Sequence, residues 1–177
     1  MLLYIILGIL VILVAIIVSL YIISKNKFQT RNIKIEEALN QIKSLLNDKY
    51  ELLSKIDKIV SKKTKEDFLA NIEEIKVEEL SVFELQSALD KYDMDIVELA
   101  EFNKDVKLDN KELEELDKLT KTSIDCTAVE KYYNDNVEIY NKLISSFPYS
   151  MMAKICHYKK KESFEVQKEE MFEILKK

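Results

Sequence analysis

Glycine and proline are almost missing from this chain: Gly8 and Pro148 are the only example of each. Beyond position 8 no glycine is available for a phosphate-cradling loop, which excludes P-loop and dinucleotide-binding fingerprints. Two-residue hairpin turns also lean on glycine, so an all-β fold is not expected. There is no tryptophan, one histidine and one arginine, Arg31, so no arginine cluster exists for phosphate. Cys126 and Cys156 are too few for a disulfide-stapled scaffold and read as reduced thiols. With 27 basic and 32 acidic residues the net charge is −5, which argues against a nucleic-acid partner. The length of 177 residues allows one domain, or two small ones.

Charge is also missing locally. The first charged side chain is Lys25. The run Leu2–Ile23 is interrupted only by Gly8 and Ser19, and a bilayer core needs roughly 20 apolar helical residues. Tyr4 and Tyr21 lie near its ends, about 26 Å apart along a helix, as an interfacial aromatic belt requires. A cleaved signal peptide would want a basic start, a shorter apolar stretch and small residues before the cut. None is present, so an uncleaved anchor through residues 2–23 is expected. Lys25, Lys27, Arg31 and Lys34 follow the run and no basic residue precedes it. The positive-inside rule then places the N-terminus outside, the body in the cytoplasm and the chain as a single-pass protein of the cell membrane.

The rest of the chain reads as helical. From residue 35 to 60 three stripes repeat every seven residues: Ile35, Ile42, Lys49, Ile56; Ala38, Leu45, Leu52, Ile59; and Leu39, Leu46, Leu53, Val60. Lys49 alone is not apolar. Three adjacent stripes make a face wider than a coiled-coil seam, as a helix facing a core requires. Capping pairs mark helix starts. Ser81 with Glu84, Asp95 with Glu98 and Asp109 with Glu112 have the three-residue offset, and Thr64 with Asp67 is a weaker instance. They predict starts near 65, 82, 95 and 110. Leu80, Phe83, Leu85, Leu89, Ile96, Val97, Leu99 and Phe102 supply core from this region.

A last long helix steps by three and four through Leu116, Leu119, Ser123, Cys126, Glu130, Tyr133, Val137, Tyr140, Ile144 and Phe147, and Pro148 stops it. A short helical turn over 150–158 and a charged helix over 162–176 complete the chain. The expected fold is all-α: a transmembrane helix, 1–24, then an elongated antiparallel up-and-down helical bundle of three long legs or four helices, 25–148, and a helical tail, 149–177. The middle has about the length of one broken leg, which places Phe147-Pro148 and Lys159–Lys161 at the end far from the bilayer.

Candidate chemistry is thin. Cys156-His157 is the only adjacent pair of soft ligands, and a zinc site wants three or four. Neighbours on a helix diverge, so the pair does not converge as a nucleophile either. No carboxylate pair stands out. The most specific feature is Tyr133-Asn134, Tyr140-Asn141 and Phe147-Pro148, each seven residues on. Seven residues are two helical turns, so the aromatics stack along one ridge with the asparagines beside it. A packed seam with polar register-setters is favoured over a ligand site.

At these residues the sequence resembles the LemA family. From Tyr132 to Glu165 it reads YYNDNVEIYNKLISSFPYSMMAKICHYKKKESFE. The matching positions are Tyr133, Asn134, Val137, Tyr140, Asn141, Ile144, Phe147, Pro148, Ala153, Phe164 and Glu165. Arg31-Asn32 looks like the family's opening motif. The family usually has Phe-Gly where this chain has Cys156-His157, and an Asp-Leu-Ile-Pro-Asn-Leu run where this chain has Tyr50–Lys55. The resemblance implies a membrane-anchored, cytoplasm-facing helical protein and supplies no reaction, catalytic residue, cofactor or metal. An interaction or scaffold protein with a protein partner or self-association is therefore expected. A membrane-tethered sensor or regulator is the alternative, followed by an enzyme of unrecognised type.

Overall fold

A computed structural model describes residues 1–64, 69, 72–102 and 108–164. Its described residues contain helices and no strand. They are α1 (Leu2–Thr64), a single 3-10 turn (Ile72–Glu74), α2 (Val82–Phe102), α3 (Asn110–Ser145) and α4 (Tyr149–Ile155). The chain divides into two compact units, residues 1–37 with 133–163, and residues 38–132 with 164–177.

α1 is one helix of 63 residues with no break between the charge-free run and the three stripes. Leu2–Ser19 is exposed throughout and burial begins at Ser24, Phe28 and Ile35. Nine of the twelve stripe residues are buried and Leu39, Leu45 and Ile59 are half-buried, as the seven-residue period requires. Lys49 is 3% exposed, and its ammonium lies 3.4 Å from the carboxylate of Asp90 on α2. Replacing a buried ion pair by apolar residues is often neutral or stabilising, and removing one partner is costly where the other charge is left buried, whereas Asp90 is 42% exposed. Lys49→Met is therefore expected to hold thermal stability or raise it by about 1 kcal/mol. A loss of about 2 kcal/mol or more in thermal unfolding would mark the charge itself as a structural need.

Two expected starts are observed with reciprocal caps. The Ser81 N–H donates to the Glu84 carboxylate at 2.9 Å and the Glu84 N–H to the Ser81 hydroxyl at 3.3 Å. The Asp109 N–H donates to Glu112 at 2.6 Å and the Glu112 N–H to Asp109 at 2.9 Å. Ser81 and Glu112 respectively hold the Glu84 and Asp109 carboxylates below the usual range through these bonds. The start expected near 95 is a correction: α2 runs unbroken through it. A capping pair ends nothing unless the chain before it leaves the helix, and Tyr92-Asp93-Met94 has no breaker. The start near 65 lies outside the described residues, as do the side chains of Ile96, Val97, Leu99 and Phe102 and the tail helix from 165 on.

Chain length decides the direction of α2. Asp90 faces Lys49, and twelve residues of α2 remain to Phe102. Were α2 to run against α1, Phe102 would lie level with position 37, about 39 Å short of Lys63 at 1.5 Å per residue. The step from Phe102 to Asn110 spans at most about 28 Å. Yet Lys63 pairs with Glu112 in the first turn of α3. α2 therefore runs alongside α1 in the same direction, and α3 returns. Gln86 of α2 donates to Glu130 of α3 at 2.6 Å, consistent with that register.

The return between α1 and α2 is not a long helix. The Leu69 N–H donates to Asp57 at 2.8 Å and Lys58 pairs with Glu73 at 3.4 Å, so this segment lies along the end of α1. With Asp90 level with Lys49, the start of α2 lies about 35 Å back from Thr64. Eighteen helical residues cover only about 27 Å, whereas extended ones cover twice that. The middle of the chain thus makes two passes where one was expected, and the described residues of the first hold one 3-10 turn and no α-helix.

The Lys27 ammonium donates to the Tyr149 hydroxyl at 2.6 Å, and the rings of Tyr149 and Tyr158 pack on Phe28 at 6.4 and 4.8 Å. The expected distal placement of Phe147-Pro148 and the basic tail is therefore corrected. They lie beside the first turns of α1 that follow the charge-free run.

Candidate functional site

The Tyr-Asn repeat lies on the last four turns of α3, in one compact unit with residues 1–37 of α1. The spacing of seven puts Tyr133 and Tyr140 on one buried ridge with Val137 and Ile144. The Tyr133 hydroxyl donates to the carbonyl of Glu162 at 3.1 Å. Burial, then the Glu162 carboxylate, pushes the Tyr133 phenol above its ordinary value, which keeps the donor protonated. Burial and Tyr158 do the same for Tyr140, and the Lys161 ammonium lies 6.0 Å from its ring centre.

Asn141 makes two bonds to one residue. Its amide nitrogen donates to the Lys161 carbonyl at 2.7 Å, and its amide oxygen accepts from the Lys161 N–H at 2.9 Å. The side chain takes the place of a backbone partner and satisfies both polar groups of a residue that lies in no helix or sheet. Asn141 is thus a clamp on the tail, where a partner across a helix seam was expected. Asn134 is half-buried one turn before the ridge's midpoint. Phe147 departs from the expected ridge. α3 ends at Ser145, the chain turns, and Phe147 is 80% exposed. Pro148 follows it at the N-cap of α4.

Three contributors escaped the sequence reading. Asn136 is 4% exposed and accepts from the Arg31 guanidinium at 3.3 Å, which ties the only arginine to α3. Phe28 is fully buried, and Tyr149 covers it. The signal for Phe28 was available, because it lies seven residues before Ile35 and extends the first stripe by one step.

This arrangement joins the Arg31-Asn32 motif, the Tyr-Asn repeat and the tail within one unit. A family model described as LemA family matches residues 24–174. The chain belongs to the LemA family. The match starts at Ser24, where the charge-free run ends, and takes in Tyr133, Asn134, Tyr140, Asn141, Phe147 and Pro148. No curated protein and no solved structure matches the chain.

The LemA-like tail explains one departure. α4 ends in a Schellman turn: the His157 N–H donates to the Lys154 carbonyl at 3.3 Å and the Tyr158 N–H to the Ala153 carbonyl at 2.9 Å. The residue after the cap must be left-handed, and His157 has φ 57°. This is where the resemblance places the glycine of Phe-Gly, and a side chain there costs about 1–2 kcal/mol of crowding. His157→Gly is expected to stabilise by about 0.5–1 kcal/mol after the glycine's unfolded-state entropy is deducted. Thermal unfolding checks it, and a lower melting temperature would mean that the imidazole makes a compensating contact.

Chemistry elsewhere is sparse. Among the described residues no group of three His, Cys, Asp or Glu side chains could hold a metal ion. An open groove in the other unit is lined by Tyr50, Glu51, Ser54, Lys55, Lys58 and Glu73, where Lys58 and Glu73 pair. Within the signature, the polar groups of Tyr133 and Asn141 are spent on the chain's own backbone, so this part of the site holds structure together.

Proposed function

We propose that the protein is a single-pass membrane protein whose cytoplasmic helical bundle serves as an interaction or scaffold module and performs no chemistry of its own. The observation that carries the anchor is the run Leu2–Ser19, exposed throughout at the start of a helix that continues into a packed body. Its most apolar window has a mean hydropathy of 3.3 and none of it is buried. Fully exposed apolar helix of this length is costly in water and at home in a bilayer. Lys25, Lys27, Arg31 and Lys34 favour a cytoplasmic body. The groups whose titration is shifted support a non-catalytic reading, since Glu84 and Asp109 cap helices and Tyr133 is tied into the tail clasp. The partner is another protein or a second copy.

Topology is the first test, and Cys156 is the reporter because Cys126 is buried. In intact cells, a membrane-impermeant maleimide is expected to leave Cys156 unlabelled until the membrane is opened. Labelling in sealed cells would reverse the orientation. A second reading, a sensor that relays state through the anchor, draws on the unbroken passage of α1 from the apolar run into the body.

A further inference from the structure

The carboxylates are distributed unevenly. The chain has 32, yet none occurs in residues 1–35 and none in residues 139–161. These two stretches belong to the same unit and meet where Lys27 and Phe28 contact Tyr149 and Tyr158. Every charge they contribute is positive: Lys25, Lys27, Arg31 and Lys34 from α1, and Lys142, Lys154 and Lys159–Lys161 from the other stretch. This acidic protein thus carries a basic collar there, in which Lys142 is paired with Glu138.

The same unit carries exposed apolar side chains. Phe147, Met151 and Ile155 follow each other at intervals of four and are 80%, 54% and 63% exposed. On α4 the opposite face, Met152 and Ala153, is buried. The depth of this face follows from its contact with α1. Lys27 lies four residues beyond Ile23, the last apolar residue of the run, or about 6 Å along the axis. The polar layer on each side of a bilayer core is about 5–7 Å thick. Tyr149, held by Lys27, therefore falls within the headgroup layer of the membrane that α1 would span.

We propose that α4 and Phe147 form a second membrane contact, with Phe147, Met151 and Ile155 seated at the headgroup–acyl boundary and the lysines around them drawn to anionic lipid. The inference rests on the anchor reading above. A short helix with an apolar face and a basic rim binds such an interface by area and charge together. The Phe28–Tyr149–Tyr158 cluster and the Asn141 clamp then have a further role: they hold this foot rigidly beside the anchor, so that the body stands at a set height and angle.

The test uses the full chain with Cys126→Ala and Cys156→Ser, and single cysteines at Leu13, Met151, Ile155 or Glu138, each carrying an environment-sensitive fluorophore. The protein is reconstituted in vesicles of phosphatidylcholine with and without phosphatidylglycerol, with nitroxide lipids labelled at the headgroup or at the chain end. Circular dichroism verifies the helix content of each variant. The probes at 151 and 155 are expected to lose about half their emission to headgroup nitroxide, more with phosphatidylglycerol and less in high salt. The Leu13 probe responds to chain-end nitroxide, and the Glu138 probe to neither. If Leu13 is quenched while 151 and 155 behave like 138, the second contact is overturned and the anchor stands. Shielding at 151 and 155 without quenching, dependent on protein concentration, would assign the face to a second copy and also overturn the lipid contact. An unquenched Leu13 would sink both readings.

Discussion

Phe28→Ala is expected to cost about 3–5 kcal/mol and to free α4 from α1. Phe28 is fully buried between the rings of Tyr149 and Tyr158, so truncation removes a large apolar side chain and leaves a cavity between two helices. Collapse into it is hindered, because the Tyr149 hydroxyl is held by Lys27 and the tail by Asn141. Hydrogen exchange on the full chain in lipid nanodiscs reads the effect locally. Amides of residues 149–158 should exchange much faster while those around Leu46 and Leu53 keep their protection. Uniform loss of protection would mean that the cluster supports the whole body. Unchanged exchange at 149–158 would show that the ring contacts do not hold α4.

Asn141→Ala is expected to cost about 1–3 kcal/mol and to release residues 158–163. Both Lys161 backbone groups lose their partner at once, and an unpaired buried group costs more than the mean worth of a hydrogen bond. Trypsin should then cleave after Lys159, Lys160 or Lys161 well before the wild type is cut. Asn141→Asp keeps the acceptor for the Lys161 N–H and loses the donor to its carbonyl, so it should fall between the two. Wild-type resistance in Asn141→Ala would return the Tyr-Asn repeat to the seam reading.

Much of the helical content was legible because it depends on nearest neighbours. The stripes of α1 follow from a period of 3.6 residues, and each apolar stripe residue is buried or half-buried as its phase requires. The pairs at 81/84 and 109/112 close reciprocal bonds within one turn, needing nothing distant. The pair at 95/98 has the same spelling and sits inside α2, because a cap becomes a start only where the preceding chain has already turned away.

The site was legible in its members and not in their roles. Tyr133, Asn141 and Pro148 stood out by spacing. That Asn141 grips a backbone twenty residues on, and that Phe147 turns outward, depends on where the tail lies. Phe28 and Asn136 went unnoticed since each is meaningful only beside its partner on the other helix.

The sequence by itself determined the family, the apolar run, the helical class, the buried face of α1 and the two caps, all properties of composition or of contacts within a few residues. The tertiary structure alone decided the course of the chain. Whether α3 ends beside the apolar run or far from it depends on the number of passes between Thr64 and Asn110, and a non-helical pass covers twice the distance per residue without leaving a periodic mark. One such pass reverses the direction of α3. Two carboxylate-free stretches, more than a hundred residues apart in the chain, meet at Lys27 and Tyr149.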